Sequence, residues 1–504
     1  MKKLLALFLC LLMVASVVIG CTGEKTPGGE TGGTKNTGDQ TSGKTDPVSS
    51  DDPDKDDLPA DLDYKGMTIR TAYREDKVAF FLGENNAEVV DVAVYRANEA
   101  VDARLNIKRE WTPIADEVLT DTITKSIMTH EGLYDYVPVD QFFGSQYCAT
   151  GAYTDISSLP HVDYEKPWYY KEYMDALSLG KGAVFFIAGD IYPIITTWTS
   201  SIFWNKTLYG DLIDPDMLSL YKLVDAGGWT FEKYNEMCRA AYLDLDKDGQ
   251  KSAADRFGTT NSTYGADHMA FSMGFAITEK NDNGFYDIVV DSERNNDIIE
   301  KIRAFYLSEG FYHFSPDDEG ATYPLDKFAN DECLFAQQFL LYALQEPFRS
   351  MKSEYGIIPL PKYDENQKNY IGTVHNAAFF VAVPTDVKTD KLDAIGAVIE
   401  AQGSENYRTV KPVIYETALK VKFNRDDENA EYTNKMIDLI RNNYHIDFAY
   451  VYGNACGDLG RIAAYTVTSE SSLSQVFASR EGEYRQGLKD LFDSFEKFKS
   501  GQTA

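Results

Sequence analysis

Basic residues are in short supply in this 504-residue chain: 49 Lys+Arg stand against 79 Asp+Glu, a formal net charge of −30. No basic surplus exists to neutralise phosphates, which argues against nucleic acid as a partner and against a polybasic membrane patch. Cysteine is scarce too, with six in all and no Cys-x-x-Cys. Neither a disulfide scaffold nor a zinc ribbon fits. Cys148, Cys238, Cys333 and Cys456 are expected as free buried thiols. His130, His161, His268, His313, His375 and His445 are scattered, with no His-x-x-x-His or His-Glu-x-x-His, so catalytic zinc has no support. The nucleophile elbow Gly-x-Ser-x-Gly is missing as well, and no carboxylate pair stands out as a glycosidase pair.

What is present is a foldable chain. The hydrophobic fraction is 43%, enough for real cores, and the length allows two or three domains. There are 33 Tyr, 28 Phe and 5 Trp; so many tyrosines suit surfaces that grip polar ligands through flat rings.

Residues 1–20 are a targeting segment. Lys2 and Lys3 precede an apolar run from Leu4 to Val18 that is too short to span a bilayer. Residues 22 to about 60 hold Gly, Thr, Ser, Asp, Lys and Pro, the composition of a flexible tether with a reach of roughly 30–35 Å. Asp51, Asp52, Asp54, Asp56 and Asp57 are expected to be a solvated charge run. Gly38 to Thr45 matches the P-loop pattern, but no buried strand precedes it and Asp46-Pro47 follows, so nucleotide binding is rejected.

The globular body is expected from about Asp61. Met67 to Ala72 alternates as a strand does, and Val90, Val94, Ala97, Val101 and Leu105 recur at helical spacing. Asn106–Trp111 is the next strand, residues 115–129 the next helix and Tyr134–Val139 the strand after it. This alternation predicts an α/β layer with a parallel sheet. Ligands of such sheets sit beyond the carboxyl ends of strands, near Tyr73, Arg74, Glu75, Asp140 and Gln141 here.

The sharpest local motif is Asp244-x-Asp246-x-Asp248-Gly249-Gln250, ending at Asp255. It matches a calcium loop at positions 1, 3, 5, 6 and 12, with the Gln250 carbonyl at position 7 and Ser252 at position 9. Alternate short carboxylates on a tight turn supply the oxygens Ca2+ requires. A helix capped by Thr230 leads in, with Phe231, Tyr234, Met237, Cys238 and Ala241 on one face. Position 12 is Asp rather than Glu, and Arg256–Thr260 does not have a helical pattern, so half an EF-hand is expected here, with Ca2+ as its ion.

Other stretches resemble a family. Val18-Ile19-Gly20-Cys21 resembles the lipobox of bacterial lipoproteins, which implies cleavage before Cys21 and lipid on its thiol. Tyr134–Asp140, Leu159–Trp168, Phe185–Asp190, Ile202–Lys206, Gly228–Phe231, Gly356–Tyr363 and Val374–Pro384 together resemble extracellular solute-binding proteins of bacterial ABC transporters, of the carbohydrate-binding group. The match is patchy over 265–330. The resemblance implies a two-lobe, type II periplasmic-binding-protein-like α/β fold with a ligand cleft between hinge crossovers. The implied lobes are 61–196 with about 377–405, and about 197–376 with about 406–500. It implies a monomer, lipid-anchored on the extracellular face of the cell membrane, that delivers sugar to ABC permease subunits. Similar calcium loops occur in that family, which implies a structural Ca2+ rather than a sensor.

At the implied lobe edges the candidate ligand-binding residues are Tyr73, Arg74, Asp140 and Gln141 in the first lobe and Trp198 at the first crossing. Tyr264, His268 and Glu346 follow in the second lobe, His375 and Asn376 at the second crossing, and Tyr415 and Glu416 in a late loop. Trp168, Trp204 and Trp229 are expected in cores. Two function classes stay open, a binding module of a carbohydrate importer and an anchored glycan-cutting enzyme; the same fold also admits peptides or another polar solute.

Overall fold

The computed structural model describes residues 54–317, 322–420 and 427–501. The signal segment, Cys21, most of the tether and the P-loop-like pattern lie outside the described residues.

In chain order the principal strands are β1 (Met67–Arg74), β2 (Ile107–Ile114), β3 (Val137–Asp140), β4 (Ser200–Asn205), β5 (Thr259–Asn261), β6 (Phe311–His313), β7 (Phe335–Phe339), β8 (Tyr355–Ile358), β9 (Gly372–Thr373), β10 (Phe379–Ala382) and β11 (Tyr444–His445). The helices that matter are α1 (Val89–Leu105), α2 (Leu119–Met128), α3 (Phe231–Ala241), α4 (Gly265–Ser272), α5 (Leu392–Thr409), α6 (Lys411–Lys420) and α7 (Leu473–Lys499).

Two β layers result. In the first, β1 pairs parallel with β2, Met67 opposite Ile107, and Thr71 bridges Tyr136 at the start of β3. β10 then pairs antiparallel with β3. The predicted periodicity is realised: Val90, Val94, Ala97, Val101 and Leu105 are all buried on α1. In the second layer β4 lies between antiparallel neighbours β8 and β7. β7 is joined to the β5 segment by the Phe335 amide donating to the Gly258 carbonyl, and β5 runs parallel to β6. Every residue of β4, the polar Ser200, Ser201 and Asn205 included, is buried, because the strand has a neighbour on each side.

Between the layers the chain crosses three times, side by side. Thr199 bridges Val374, and β9 runs parallel to β11, Thr373 opposite His445. Helix α7, opened by a capping box between Ser472 and Gln475, places Phe495 against both Phe185 and Phe285.

Trp168, Trp204 and Trp229 are wholly buried, and Cys148, Cys238, Cys333 and Cys456 are free and buried, as expected. The charge run is corrected at Asp56; Asp54 and Asp57 are exposed, as expected, and Asp51 and Asp52 lie outside the described residues. Asp56 is buried, receives two hydrogen bonds from Arg104 at 2.7 Å each and donates its amide to Ser404 Oγ. Asp57 pairs with Lys166, and Leu58 is in the core. The packed body thus begins before Asp61, because α1 and α5 supply partners that composition cannot reveal.

Candidate functional site

A cavity of about 260 Å3 opens on one face of the crossovers. Its wall includes Ser200, Asn261, Tyr264, His268, Gln337, Phe339 and His375. The fold converges these residues from distant elements. Ser200 opens β4 and pairs with Phe339, which closes β7. His268 projects from α4, and His375 follows β9.

The rings form a cluster. Trp198 stacks on Phe339 at 5.8 Å and 23° and meets His375 edge-on at 5.3 Å. His268 meets Phe339 edge-on at 5.4 Å. The Trp198 indole N–H is buried without a hydrogen-bond partner among the described residues. Trp198 therefore stands beside the wall rather than in it, with Lys77 Nζ 6.0 Å from its ring.

Both histidines are neutral at neutral pH. Burial, with His375 and Arg461 adding, lowers His268 to about 3; burial, with Arg461 adding, lowers His375 to about 4. His375 Nδ1 accepts the Ala377 amide at 2.9 Å, which assigns its proton to Nε2. His268 Nδ1 is 2.9 Å from Thr373 Oγ1.

Tyr264 is 57% exposed, and the Arg461 guanidinium covers its ring at 3.8 Å from the centroid. Arg461 is held in turn by Asp267, 3.5 Å away, whose other oxygen accepts the Ala464 amide at 2.8 Å. Burial outweighs that pairing and raises Asp267 to about 7. Flat rings next to neutral imidazoles and side-chain amides suit a ligand with C–H faces and in-plane hydroxyls.

The structure thus brings together Tyr264, His268 and His375, with Trp198 adjacent. Asn376 is buried beside them and donates to the Tyr450 carbonyl at 3.2 Å. Asp140 lies in a separate hollow of about 340 Å3 with Asp116, Phe143 and Asn454. Its carboxylate accepts the Phe143 amide at 2.8 Å, and burial raises it to about 6. Gln141 is wholly buried and accepts from the Tyr173 hydroxyl at 2.8 Å. Arg74 is paired with Asp76 and Asp116, and the Tyr73 ring meets Trp111 edge-on.

The remaining three candidates also sit apart from the cavity wall. Glu346 is exposed and accepts the Ser350 amide at 3.2 Å, closing a local turn. Tyr415 and Glu416 lie on α6, not in a loop; the Arg441 guanidinium is 5.1 Å from the Tyr415 ring centroid, and Glu416 is exposed. Sequence reasoning missed Phe339, Gln337, Asn261 and Arg461. The Phe335–Phe339 run carried a strand signal, but nothing local marks its last residue as a wall.

The aspartate loop follows α3, whose cap Thr230 accepts the Lys233 amide. One oxygen each from Asp244, Asp246 and Asp255 lie within 4.8 Å of one another, and Asp255 is fully buried. Gly249 has φ +75°, the left-handed turn that favours glycine there. Asp248 is not in that group; its side chain accepts the Gln250 amide at 2.7 Å. Arg256 bridges back to Leu243, so no helix follows.

No protein-family model and no curated protein matches the chain. Solved structures do. A cyclo/maltodextrin-binding protein complexed with maltotetraose has a TM-score of 0.54 at 12% identity, over 84% of this chain and 97% of that one. The GacH receptor of Streptomyces glaucescens, solved unliganded and with acarbose, has a TM-score of 0.51 at 12% identity, over 84% and 99%. UgpB from Mycobacterium tuberculosis, in complex with glycerophosphocholine, has 0.50 at 11%, over 85% and 98%. The chain has the two-lobe, periplasmic-binding-protein-like α/β fold of these proteins, spanning nearly their whole length.

Proposed function

We propose that the chain is the extracellular substrate-binding component of an ABC importer, capturing a carbohydrate of oligosaccharide size and delivering it to membrane permeases. The cavity beside the crossovers carries this reading, because it combines aromatic faces with neutral hydrogen-bonding groups next to the crossover residue His375. Rotation about three adjacent crossovers is the hinge motion of such folds. A ligand touching both lobes shifts the population towards the closed form. The structures solved with maltotetraose and acarbose add support from the same fold. In this reading the protein binds and does not catalyse, and it works as a monomer.

The test is a calorimetric screen of oligosaccharides, maltotetraose included, with analysis of the recovered ligand. Tight binding of a ligand returned intact supports the importer; shortened products identify a glycan-cutting enzyme instead. A second reading is a polar solute other than sugar, favoured by the structure solved with glycerophosphocholine; that compound belongs in the screen.

Two attachments complete the proposal. Cys21 carries lipid and holds the body at the extracellular face of the membrane. The aspartate loop holds Ca2+: the carboxylates of Asp244, Asp246 and Asp255 fit a hard cation, with the Gln250 carbonyl and Asp248 as further oxygens. Bound there, the ion would brace the turn between α3 and β5. Its affinity should fall roughly between micromolar and millimolar.

A further inference from the structure

The crossovers have a second face, and a second cavity lies on it. Successive side chains of a strand point to opposite sides. On β11, His445 packs against Phe271 of α4, and its ladder partner Thr373 contacts His268, so both lie on the α4 side of the crossovers, the side of the first cavity. Tyr444 points the other way. Its ring lies 5.3 Å from Tyr170, and its hydroxyl accepts from Thr199 Oγ1 at 3.3 Å. There a cavity of about 310 Å3 is lined by Tyr170, Tyr407, Lys411, Arg441, Asn442 and Tyr444, among others.

This wall has a definite chemistry. Lys411 Nζ sits over the rings of Tyr170 and Tyr407, at 5.3 and 4.8 Å from their centroids. It is paired with Asp190 at 2.8 Å, and Asp190 also accepts the Tyr170 hydroxyl at 2.9 Å. Arg441 is paired with Asp438 at 2.6 Å. Paired ions supply directional donors and acceptors without adding much net charge. Asp190 and Asp438 lie against the two cations, and Glu172 also lines the cavity, which weakens the pull on an anionic ligand; a cationic one would meet Lys411, Arg441 and the lining Lys171. A neutral ring meets neither obstacle: its hydroxyls match the polar groups and its C–H faces match the tyrosines. The volume is at the lower end of small-molecule sites, ~300–1,000 Å3.

We propose that this cavity is a second binding site, taking one neutral sugar ring independently of the first cavity. The test uses the full chain in detergent, with glucose, galactose, mannose and xylose as probes in saturation-transfer NMR. A probe signal should persist when the first cavity is disabled by Trp198→Ala with His375→Ala. It should weaken by about tenfold or more in Tyr407→Ala, from loss of the ring face, and survive in Tyr407→Phe. If Tyr407→Ala does not fold, the exposed Asn442→Ala carries the same expectation. Oligosaccharide binding at the first cavity should be untouched by either change, which separates this proposal from the importer reading. The proposal falls if no probe binds, if the signal vanishes with the first-cavity variant, if it ignores Tyr407 and Asn442, or if glucuronate binds more tightly than glucose.

Discussion

Trp198 and Phe339 stack at 5.8 Å, joining the first crossover to the end of a strand in the second sheet. That stack is the point where the hinge touches the proposed sugar site. It also leaves the indole N–H unpaired among the described residues.

Replacing Trp198 by Ala should therefore weaken saccharide binding by about tenfold or more, since Phe339 loses its backing and aromatic anchors dominate such sites. The fold should survive, because Trp198 is only partly buried. Titration with maltotetraose beside a melting curve checks this. Unchanged affinity would remove the stack from the site.

His375 should confer a pH-dependent stability. Its folded pKa, about 4, lies below its ordinary 6.5 because burial disfavours the imidazolium, with Arg461 adding to the effect. The unfolded chain then takes the proton first, so the contribution is complete above about pH 6.5 and is lost as pH falls towards 4. Buried Asp267, raised to about 7, acts in the opposite direction over that range. The wild type alone is therefore a poor readout, and the comparison with His375→Asn isolates the histidine. The variant should lose less stability than the wild type between pH 7 and 5. Parallel melting profiles would contradict the assignment.

Calcium should raise the melting temperature by mass action, and Asp246→Ala should abolish the rise. Identical melting curves in chelator and in excess Ca2+ would reduce the loop to an aspartate-rich turn.

Cys21→Ser should release the protein from membranes while leaving ligand binding intact. Fractionation of expressing cells reads the first outcome and calorimetry the second; a variant still in the membrane fraction would refute the lipid anchor.

Patterns with a local cause were legible in the sequence. The spacing of Val90, Val94, Ala97, Val101 and Leu105 determined α1 because one helical face must be apolar to pack. Alternation located β1, Thr230 marked the start of α3, and the tryptophans beside Pro or Gly-Gly turned out to be core. The aspartate cluster was visible because Asp244, Asp246 and Asp255 lie close together in the chain. The site was only half visible. Tyr264, His268 and His375, which line one cavity, were among the candidates, but Phe339 becomes a wall only because β7 ends beside β4, and Arg461 backs Tyr264 from almost two hundred residues further on. Asp56 looked like part of a solvated run until Arg104 and Ser404 closed over it. The two faces of the crossovers were likewise beyond the sequence. Which side Tyr444 and His445 take depends on pairing between segments far apart in the chain, and only tertiary structure sets that register.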